Sequence, residues 1–204
     1  MIRSSSIALV FTSSRRNNMT PILETERLIL RTWQPEDLAP MTAINQDPAV
    51  MEYFPALQSE NETAQLIHRA QQHQVEYGYS LYAVQHKQTH AMIGFVGLIH
   101  RTGEDWQAPF LPATEIGWRL SSGYWNQGLA TEAARAVLHY GFTHLNLSEI
   151  VSFTVTANSA SRRVMEKIGL THCPLEDFNH PKLDLSSPLC RHVLYRLRQT
   201  EYNN

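Results

Sequence analysis

The stretch that decides the fold is "SGYWNQGLATEAARAV", residues 122–137, in which a strand-like run gives way to a helical pattern. The helix should begin near Gly128, yet no Ser, Thr, Asn or Asp stands directly before it to cap its free amides. Small and apolar residues then recur at the spacing of a helix that covers a sheet, at Ala130, Ala133, Ala134, Val137, Leu138, Gly141 and Leu145. The open question is what satisfies the first amides of this helix.

A phosphate group is one answer to that question. The first four amides of a helix lack internal partners, and the helix dipole adds about half a positive charge there. Gly128 and Ala130 leave room for a phosphate to approach. The alternative is a structural turn with a water-capped helix, and this one feature does not decide between them. The chain has no P-loop motif and no G-x-G-x-x-G after a strand.

The composition is that of an ordinary globular domain. The chain has 204 residues, of which 43% are hydrophobic and 18% are charged. A net charge of −2 gives no basic field that would favour nucleic acid. No segment has the length and hydropathy of a membrane span, so neither nucleic acid nor membrane is an expected partner.

The N-terminus differs from the rest. Residues 1–18, "MIRSSSIALVFTSSRRNN", hold three arginines and no acid, and their apolar run, residues 7–11, is too short for a signal peptide. A transit-like presequence stays possible. We interpret residues 1–18 as a dispensable extension, with Met19 as an alternative start, and residues 19–204 as the domain.

Cysteine and histidine usage points to a reducing compartment and to no metal. Cys173 and Cys190 lack the partners of a disulfide framework or a zinc site. The ten histidines show no metal-ligand spacing. We therefore expect a cytoplasmic protein without a metal.

The pattern along the chain predicts elements in the order β-α-α-β-β-β-α-β-α-β-β. "RLILRTW" from Arg27 alternates as a half-buried strand does, and residues 59–78 form an amphipathic helix with a Ser59–Glu62 capping box and a Gly78 stop. "SLYAVQ" and "AMIGFVGLI" indicate a hairpin. This order predicts a single α/β (α+β) domain with a mixed, mostly antiparallel twisted sheet flanked by helices.

Two motifs in this order carry a family resemblance. "YWNQGLATEA", residues 124–133, is followed after a helix and a strand by "NSASRRVMEKIGL", residues 158–170. With the segments "ETERLILRTW" and "DPAVMEYFP", they make residues 22–198 resemble the Gcn5-related N-acetyltransferase (GNAT) superfamily. More narrowly, the chain resembles its RimJ/RimL-type branch of protein and amine acetyltransferases.

The resemblance implies that acetyl-CoA is the co-substrate. Its pyrophosphate would lie on the turn that starts the helix, and its pantetheine arm would pair with the strand "TEIGWRL" where two central strands splay apart. Asn158 and Ser161 would face the thiol end of the arm. The cofactor-binding candidates are thus Ile116, Trp118, Leu120, Gln127, Gly128, Leu129, Ala130, Thr131, Asn158 and Ser161.

The catalytic candidates follow from what acetyl transfer requires. A protonated amine must lose a proton, the thioester carbonyl needs a donor, and the leaving thiolate needs a proton. The resemblance places Glu115 beside the thioester, as the base or as the residue that positions a water. The alternative is a solvated carboxylate or a partner of an arginine such as Arg119.

The leaving thiolate raises a separate question. Many members of the superfamily carry a tyrosine four residues before the closing glycine of the second motif, and here that position is Met165. Methionine cannot donate a proton. Ser161 is the best local substitute, with Asn158 or a water behind it, although both residues could simply cap the helix.

The acceptor side is read from the segments that border the acceptor cleft in this branch. Trp33, Tyr53 and Phe54 are the substrate-binding candidates, with core packing as the alternative. We expect an N-acetyltransferase that moves acetyl directly to a primary amine, either a protein N-terminus or a small amine, in a ternary complex, as a monomer or homodimer. The alternative is a catalytically weak acyl-CoA-binding sensor or interaction module, which Met165 would favour.

Overall fold

The fold was analysed in a computed structural model, which describes residues 20–104 and 106–202. The proposed extension, residues 1–18, lies outside the described residues. The strands are β1 (Pro21–Glu24), β2 (Leu28–Arg31), β3 (Leu81–His86), β4 (Met92–Arg101), β5 (Ala113–Leu120), β6 (Glu149–Val155), β7 (Thr171–His172), β8 (Phe178–Asn179) and β9 (Arg191–Arg198). The helices are α1 (Leu38–Asn45), α2 (Glu60–Tyr77), α3 (Leu129–Thr143), α4 (Ser159–Lys167) and α5 (Gln199–Tyr202).

One sheet runs through the molecule in the order β1-β2-β3-β4-β5-β6-β9-β7, with β8 paired to β9. Its pairs are antiparallel except for β5 with β6, which are parallel. The predicted mixed, mostly antiparallel α/β fold is therefore confirmed. The structure adds β1 at one edge, and it has three strands after α4 where the sequence predicted two, because β7 and β8 are separate strands of two residues each.

Both faces of the sheet are buried, because helices cover each of them. Strand β3 shows this directly, since Tyr82 and Val84 enter the core beneath α3 while Ala83 enters the core beneath α1 and α2. Alternate side chains of a strand point to opposite faces, so a strand buried on both faces must be apolar throughout. The result is three layers, with α1 and α2 on one face and α3 and α4 on the other.

The ends of α2 are set by local sequence. Ser59 and Glu62 form the predicted capping box, in which Ser59 Oγ accepts from the Glu62 amide at 3.3 Å and Glu62 Oε2 accepts from the Ser59 amide at 2.7 Å. Gly78 ends the helix with a φ of +78°, a left-handed conformation that glycine adopts without strain. The predicted hairpin is also present as β3 and β4.

An ion pair ties the first turn of α1 to strand β2. Both carboxylate oxygens of Asp37 accept from the Arg31 guanidinium, at 2.7 and 2.8 Å, and one also accepts from the Gln34 amide at 2.8 Å. Both charged groups are almost fully buried. Their pairing is therefore needed by the fold, because either charge alone would be buried without compensation.

Candidate active site

The helix that raised the opening question begins without a side-chain cap. Gly128 is the N-cap residue of α3, with a φ of +78°, and no side chain of residues 20–104 and 106–202 caps the first turn. An added Cβ at Gly128 would meet only Arg27 Nη2, at 3.6 Å, so the space in front of the helix is open. The free amides of Leu129, Ala130 and Thr131 and the positive end of the dipole thus face an accessible space that suits an anion.

An arginine and a glutamate hold this turn in place. Arg27 Nη1 donates to the Gln127 carbonyl at 2.9 Å, and Arg27 Nε donates to Glu132 Oε2 at 2.7 Å. Glu132 Oε1 accepts from Thr25 Oγ1 at 2.6 Å and from the Arg27 amide at 2.9 Å. Burial by itself would raise the pKa of Glu132, but these hydrogen bonds and the Arg27 charge hold it below its usual value. We name these four residues, Thr25, Arg27, Gln127 and Glu132, the turn clamp.

A gap between two central strands leads away from this turn. Strand β5 pairs with β4 along its whole length, but the described part of the chain pairs it with β6 at only one position, Glu115 with Val151. Ser152 Oγ on β6 still reaches the Ile116 carbonyl at 2.9 Å. Because backbone groups alternate along a strand, those of Trp118 face the same gap. The two strands therefore splay apart toward the end of β5 that precedes α3.

The side chains of the three cofactor candidates on β5 point to the face of the sheet that α3 covers. Ile116 and Leu120 are buried in the core beneath α3, and Trp118 packs against that core. The Leu120 carbonyl accepts from Trp125 Nε1 at 2.8 Å, which fixes the start of the turn. Ile116 and Leu120 therefore offer backbone groups, and not their buried side chains, to a ligand in the gap.

Glu115 lies at the closed end of this gap and has an arginine partner. Its Oε2 accepts from Arg101 Nε at 2.7 Å, and its side chain is 12% exposed. The arginine partner is thus Arg101 and not Arg119, whose position in the sequence had suggested it. Glu115 Oε1 accepts no hydrogen bond from any described residue. It is not fully buried either, so it remains accessible to a ligand or to water.

Arg119 serves a different purpose on the same face of the sheet. Its Nη1 donates to Asn45 Oδ1 at 2.6 Å, and its guanidinium lies 4.2 Å from the centre of the Phe54 ring. Burial lowers the pKa of Arg119 to about 10. The contacts tie the segment after α1 to β5, so Phe54 is held beside the face of the sheet that carries Glu115, with 38% of its surface exposed.

The other two acceptor candidates are placed differently from each other. Trp33 is 5% exposed in the core beneath α1 and α2, and its Nε1 donates to the Leu81 carbonyl at 2.7 Å. Trp33 thus packs in the core, which is the alternative its apolar character had left open. Tyr53 is half-buried in the same segment as Phe54.

Asn158 and Ser161 lie where β6 passes into α4. Asn158 Oδ1 accepts from the Ser161 amide at 3.1 Å and its Nδ2 donates to Thr154 Oγ1 at 3.1 Å, so Asn158 caps the helix. Ser161 Oγ makes no hydrogen bond to the described residues. Met165 is 1% exposed in the core beneath α3, so this side chain faces the core. Its identity therefore concerns packing.

The aromatic residues around Glu115 could not be found from the sequence. Trp106, Phe110, Phe153, Phe178, His180 and His192 form one cluster of rings with centroids 4.9–6.1 Å apart in successive contacts. They come from the β4–β5 loop, β6, β8 and β9, and only the folded sheet brings them together. No group of three or more His, Cys, Asp or Glu in residues 20–104 and 106–202 could hold a metal ion.

The comparisons with known proteins agree with this geometry. The chain matches the family model described as an acetyltransferase (GNAT) domain over residues 27–171. An uncharacterized N-acetyltransferase of Bacillus subtilis, YnaD, is 30% identical over 149 residues, which are 72% of this chain and 81% of the relative. The chain therefore belongs to the GNAT acetyltransferase family.

Solved structures show the same fold. A GNAT-family acetyltransferase from Bacillus anthracis superimposes with a TM-score of 0.70 at 27% identity, over 87% of this chain and 98% of that chain. The spermidine N-acetyltransferase of Vibrio cholerae, solved with CoA and spermine, does so with a TM-score of 0.66 at 20% identity, over 88% of this chain and 100% of that chain. Within the described residues, no helix has the length and apolar character of a membrane span.

Proposed function

We propose that the protein transfers an acetyl group from acetyl-CoA directly to a primary amine in a ternary complex. The observation that carries the proposal is the uncapped N-terminus of α3 at Gly128, together with the gap between β5 and β6 that leads to it. An anion fits the first feature and an extended chain with amide groups fits the second. Acetyl-CoA has both parts, and it supplies a thioester that an amine can attack.

The residues around the gap have distinct proposed tasks. The amides of Leu129, Ala130 and Thr131 hold the pyrophosphate, while the backbone of Trp118 pairs with the pantetheine arm. Gln127 contributes through its backbone, which the turn clamp fixes. These tasks need backbone groups more than side chains, so they depend on the shape of the turn.

On the acceptor side, Glu115 orients the ammonium group or a water next to it, using the oxygen that Arg101 leaves free. Tyr53 and Phe54 border the acceptor, and Trp33 supports them from the core. Ser161 supplies a proton to the leaving thiolate, directly or through a water, and Asn158 orients the start of α4. Met165 faces the core, which supports a packing role for its side chain, and the turnover assay below distinguishes the enzyme from the binding module.

The finer assignments rest on the sequence. The RimJ/RimL-type branch is proposed from the two motifs, and its members that act on proteins do not define the acceptor here. We also propose a cytoplasmic protein that acts as a monomer or homodimer, on an amine that is either small or a protein N-terminus.

The proposal is tested by acetyl-CoA binding and turnover with two variants of Gly128. Gly128→Glu and Gly128→Gln share the same backbone strain and nearly the same bulk, so their difference reports the charge. We expect acetyl-CoA to stabilise the wild type thermally, and Gly128→Glu to bind at least about tenfold more weakly than Gly128→Gln. Equal affinity of the two folded variants would contradict a phosphate site at this turn.

Turnover is measured as thiol release across a panel of amines and N-terminal peptides. Release that depends on an amine, with the acetylated amine found by mass spectrometry, would establish the transfer. Thermal stabilisation without release on any amine would favour the binding module.

A further inference from the structure

Resting on this proposed function, we propose that His192 is the group that takes the proton from the acceptor ammonium, while Glu115 holds that ammonium in place. His192 is the second residue of β9 and pairs with Val155 on β6. The same ladder pairs Phe153 with Leu194, and Glu115 pairs in parallel with Val151. Because alternate residues share a face, the side chains of His192, Phe153 and Glu115 all point to the acceptor face of the sheet.

The tautomer of His192 is fixed by one hydrogen bond. Its Nδ1 lies 3.1 Å from the Cys190 carbonyl oxygen, which can only accept, so Nδ1 carries the proton. The neutral ring therefore presents the lone pair of Nε2, which is the atom that can accept a proton. The same carbonyl accepts from the His180 amide at 2.8 Å, so the backbone that orients the ring is itself held.

The Nε2 atom is open to a ligand. It makes no hydrogen bond within residues 20–104 and 106–202. It is not fully buried either, because it does not belong to the fully buried polar atoms without a partner. The ring is held flat by Phe178, which stacks on it at 5.4 Å and 28°, and by the edge of Phe153 at 6.1 Å. A fixed ring with a free acceptor atom is the arrangement that a proton acceptor needs.

Burial, and not the surrounding charge, keeps the His192 ring neutral. Burial lowers its pKa below the usual 6.5, although the hydrogen bond with the Cys190 carbonyl and the nearby Glu115 carboxylate act in the opposite direction. His180 faces it at 5.3 Å and is half-buried, with its pKa lowered by burial and by the charges of His192, Lys182 and Arg101. Near neutral pH His192 is therefore unprotonated.

Glu115 is less suited to this step because it already shares an oxygen with Arg101. In the proposed step, R–NH3+ gives one proton to His192 Nε2 and becomes R–NH2. The amine lone pair attacks the thioester carbonyl carbon and the C–S bond breaks. Ser161 gives its hydroxyl proton to the thiolate and regains a proton from the attacking nitrogen, so the second amine proton ends on the thiol. His192 then releases its proton to solvent, so the products are the amide, CoA thiol and one proton.

The test compares His192→Gln with the matched control His139→Gln, a half-buried histidine on α3 at the opposite face of the sheet. For each protein, kcat/KM is measured from about pH 5.5 to above the pKa of the acceptor amine, with thermal stabilisation by acetyl-CoA on the same sample. We expect His192→Gln to lose about 100-fold or more in kcat/KM near pH 7, with acetyl-CoA binding unchanged. The loss should shrink to within about tenfold where the amine is already deprotonated. The control should behave as the wild type does.

Two results would overturn the assignment and leave the proposed function standing. One is wild-type activity in His192→Gln, and the other is a loss that is the same at every pH, which a purely structural role would produce. Glu115→Gln, run in parallel, would show the pH-dependent loss instead if Glu115 were the base. If wild type binds acetyl-CoA but acetylates no amine, the proposed function fails and the assignment fails with it.

If His192→Gln does not fold, the pH profile of the wild type tests the assignment instead. The wild-type kcat/KM should decrease on acidification through a pKa below 6.5, because only the neutral imidazole accepts the proton. A wild-type kcat/KM that shows no decrease below about pH 6.5, down to the lowest pH at which the protein stays folded, would overturn the assignment without any variant.

Discussion

The turn clamp should stabilise the fold through the charge of Glu132, and Glu132→Gln removes that charge with little change of shape. The carboxylate accepts from the Thr25 hydroxyl, from the Arg27 amide and from the Arg27 guanidinium. Hydrogen bonds to a charged group contribute about 1.5–3 kcal/mol. The Arg27 side chain is 41% exposed, which reduces the ion-pair share to at most about 1 kcal/mol. We therefore expect a loss of about 2 kcal/mol in the free energy of unfolding near pH 7.

The loss should depend on pH, and its sign follows from the pKa of Glu132. This pKa lies below 4.5 in the folded protein, so the charge stabilises the fold above the unfolded pKa. That stabilisation disappears as the pH falls through the lowered folded value. Because glutamine does not titrate, the difference between wild type and Glu132→Gln should be full near pH 7 and shrink below about pH 4.

The measurement is urea unfolding at about pH 7 and about pH 3.5, with linear extrapolation to water. Glu60→Gln is the control, because Glu60 also lies in the first turn of a helix but makes no hydrogen bond or ion pair within the described residues. It should change stability by at most about 0.5 kcal/mol. A difference for Glu132→Gln that is unaffected by pH, or no larger than that of the control, would refute the reasoning.

Two further predictions concern the buried ion pair of Arg31 with Asp37 and the close contact at Gly97. Asp37→Asn should cost about 3–5 kcal/mol in unfolding free energy, because it leaves the buried Arg31 uncompensated, whereas Glu24→Gln at the exposed pair with Lys87 should cost under about 1 kcal/mol. Gly97→Ala should prevent folding to a soluble monomer or lower Tm strongly, because its Cβ would lie 2.0 Å from the Ser80 carbonyl oxygen. Gly123→Ala, which meets nothing within 4 Å, should leave Tm nearly unchanged in the same thermal scan, and equal Tm values for both would refute the argument.

The parts of the fold that were predictable from the sequence are those fixed by neighbours along the chain. The capping box of α2, the cap of α4 by Asn158 and the hairpin of β3 and β4 each depend on residues within a few positions of one another. Short strands escape such reasoning. Strands β7 and β8 hold two residues each and exist only because β9 offers them an edge.

The candidate site also has features that depend on neighbouring residues and features that depend on residues distant in the sequence. The turn at Gly128 was predictable because the missing cap is a local property of the sequence. The partner of Glu115 was not, because Arg101 ends a different strand and meets it only across the β4–β5 ladder. His192 was missed for the same reason: its orientation depends on Cys190, and its surroundings come from four separate segments.

The splay between β5 and β6 also gives the sheet an unusual edge. A strand edge on the outside of a protein is a template for another chain, and proteins usually blunt it with charges, prolines or short strands. The edge at Trp118 lies inside the sheet, because β6 follows β5 in the strand order although the two strands pair only at Glu115 and Val151. Its unpaired backbone groups are therefore flanked by strands on both sides, unlike those of an outer strand, which another protein can approach freely.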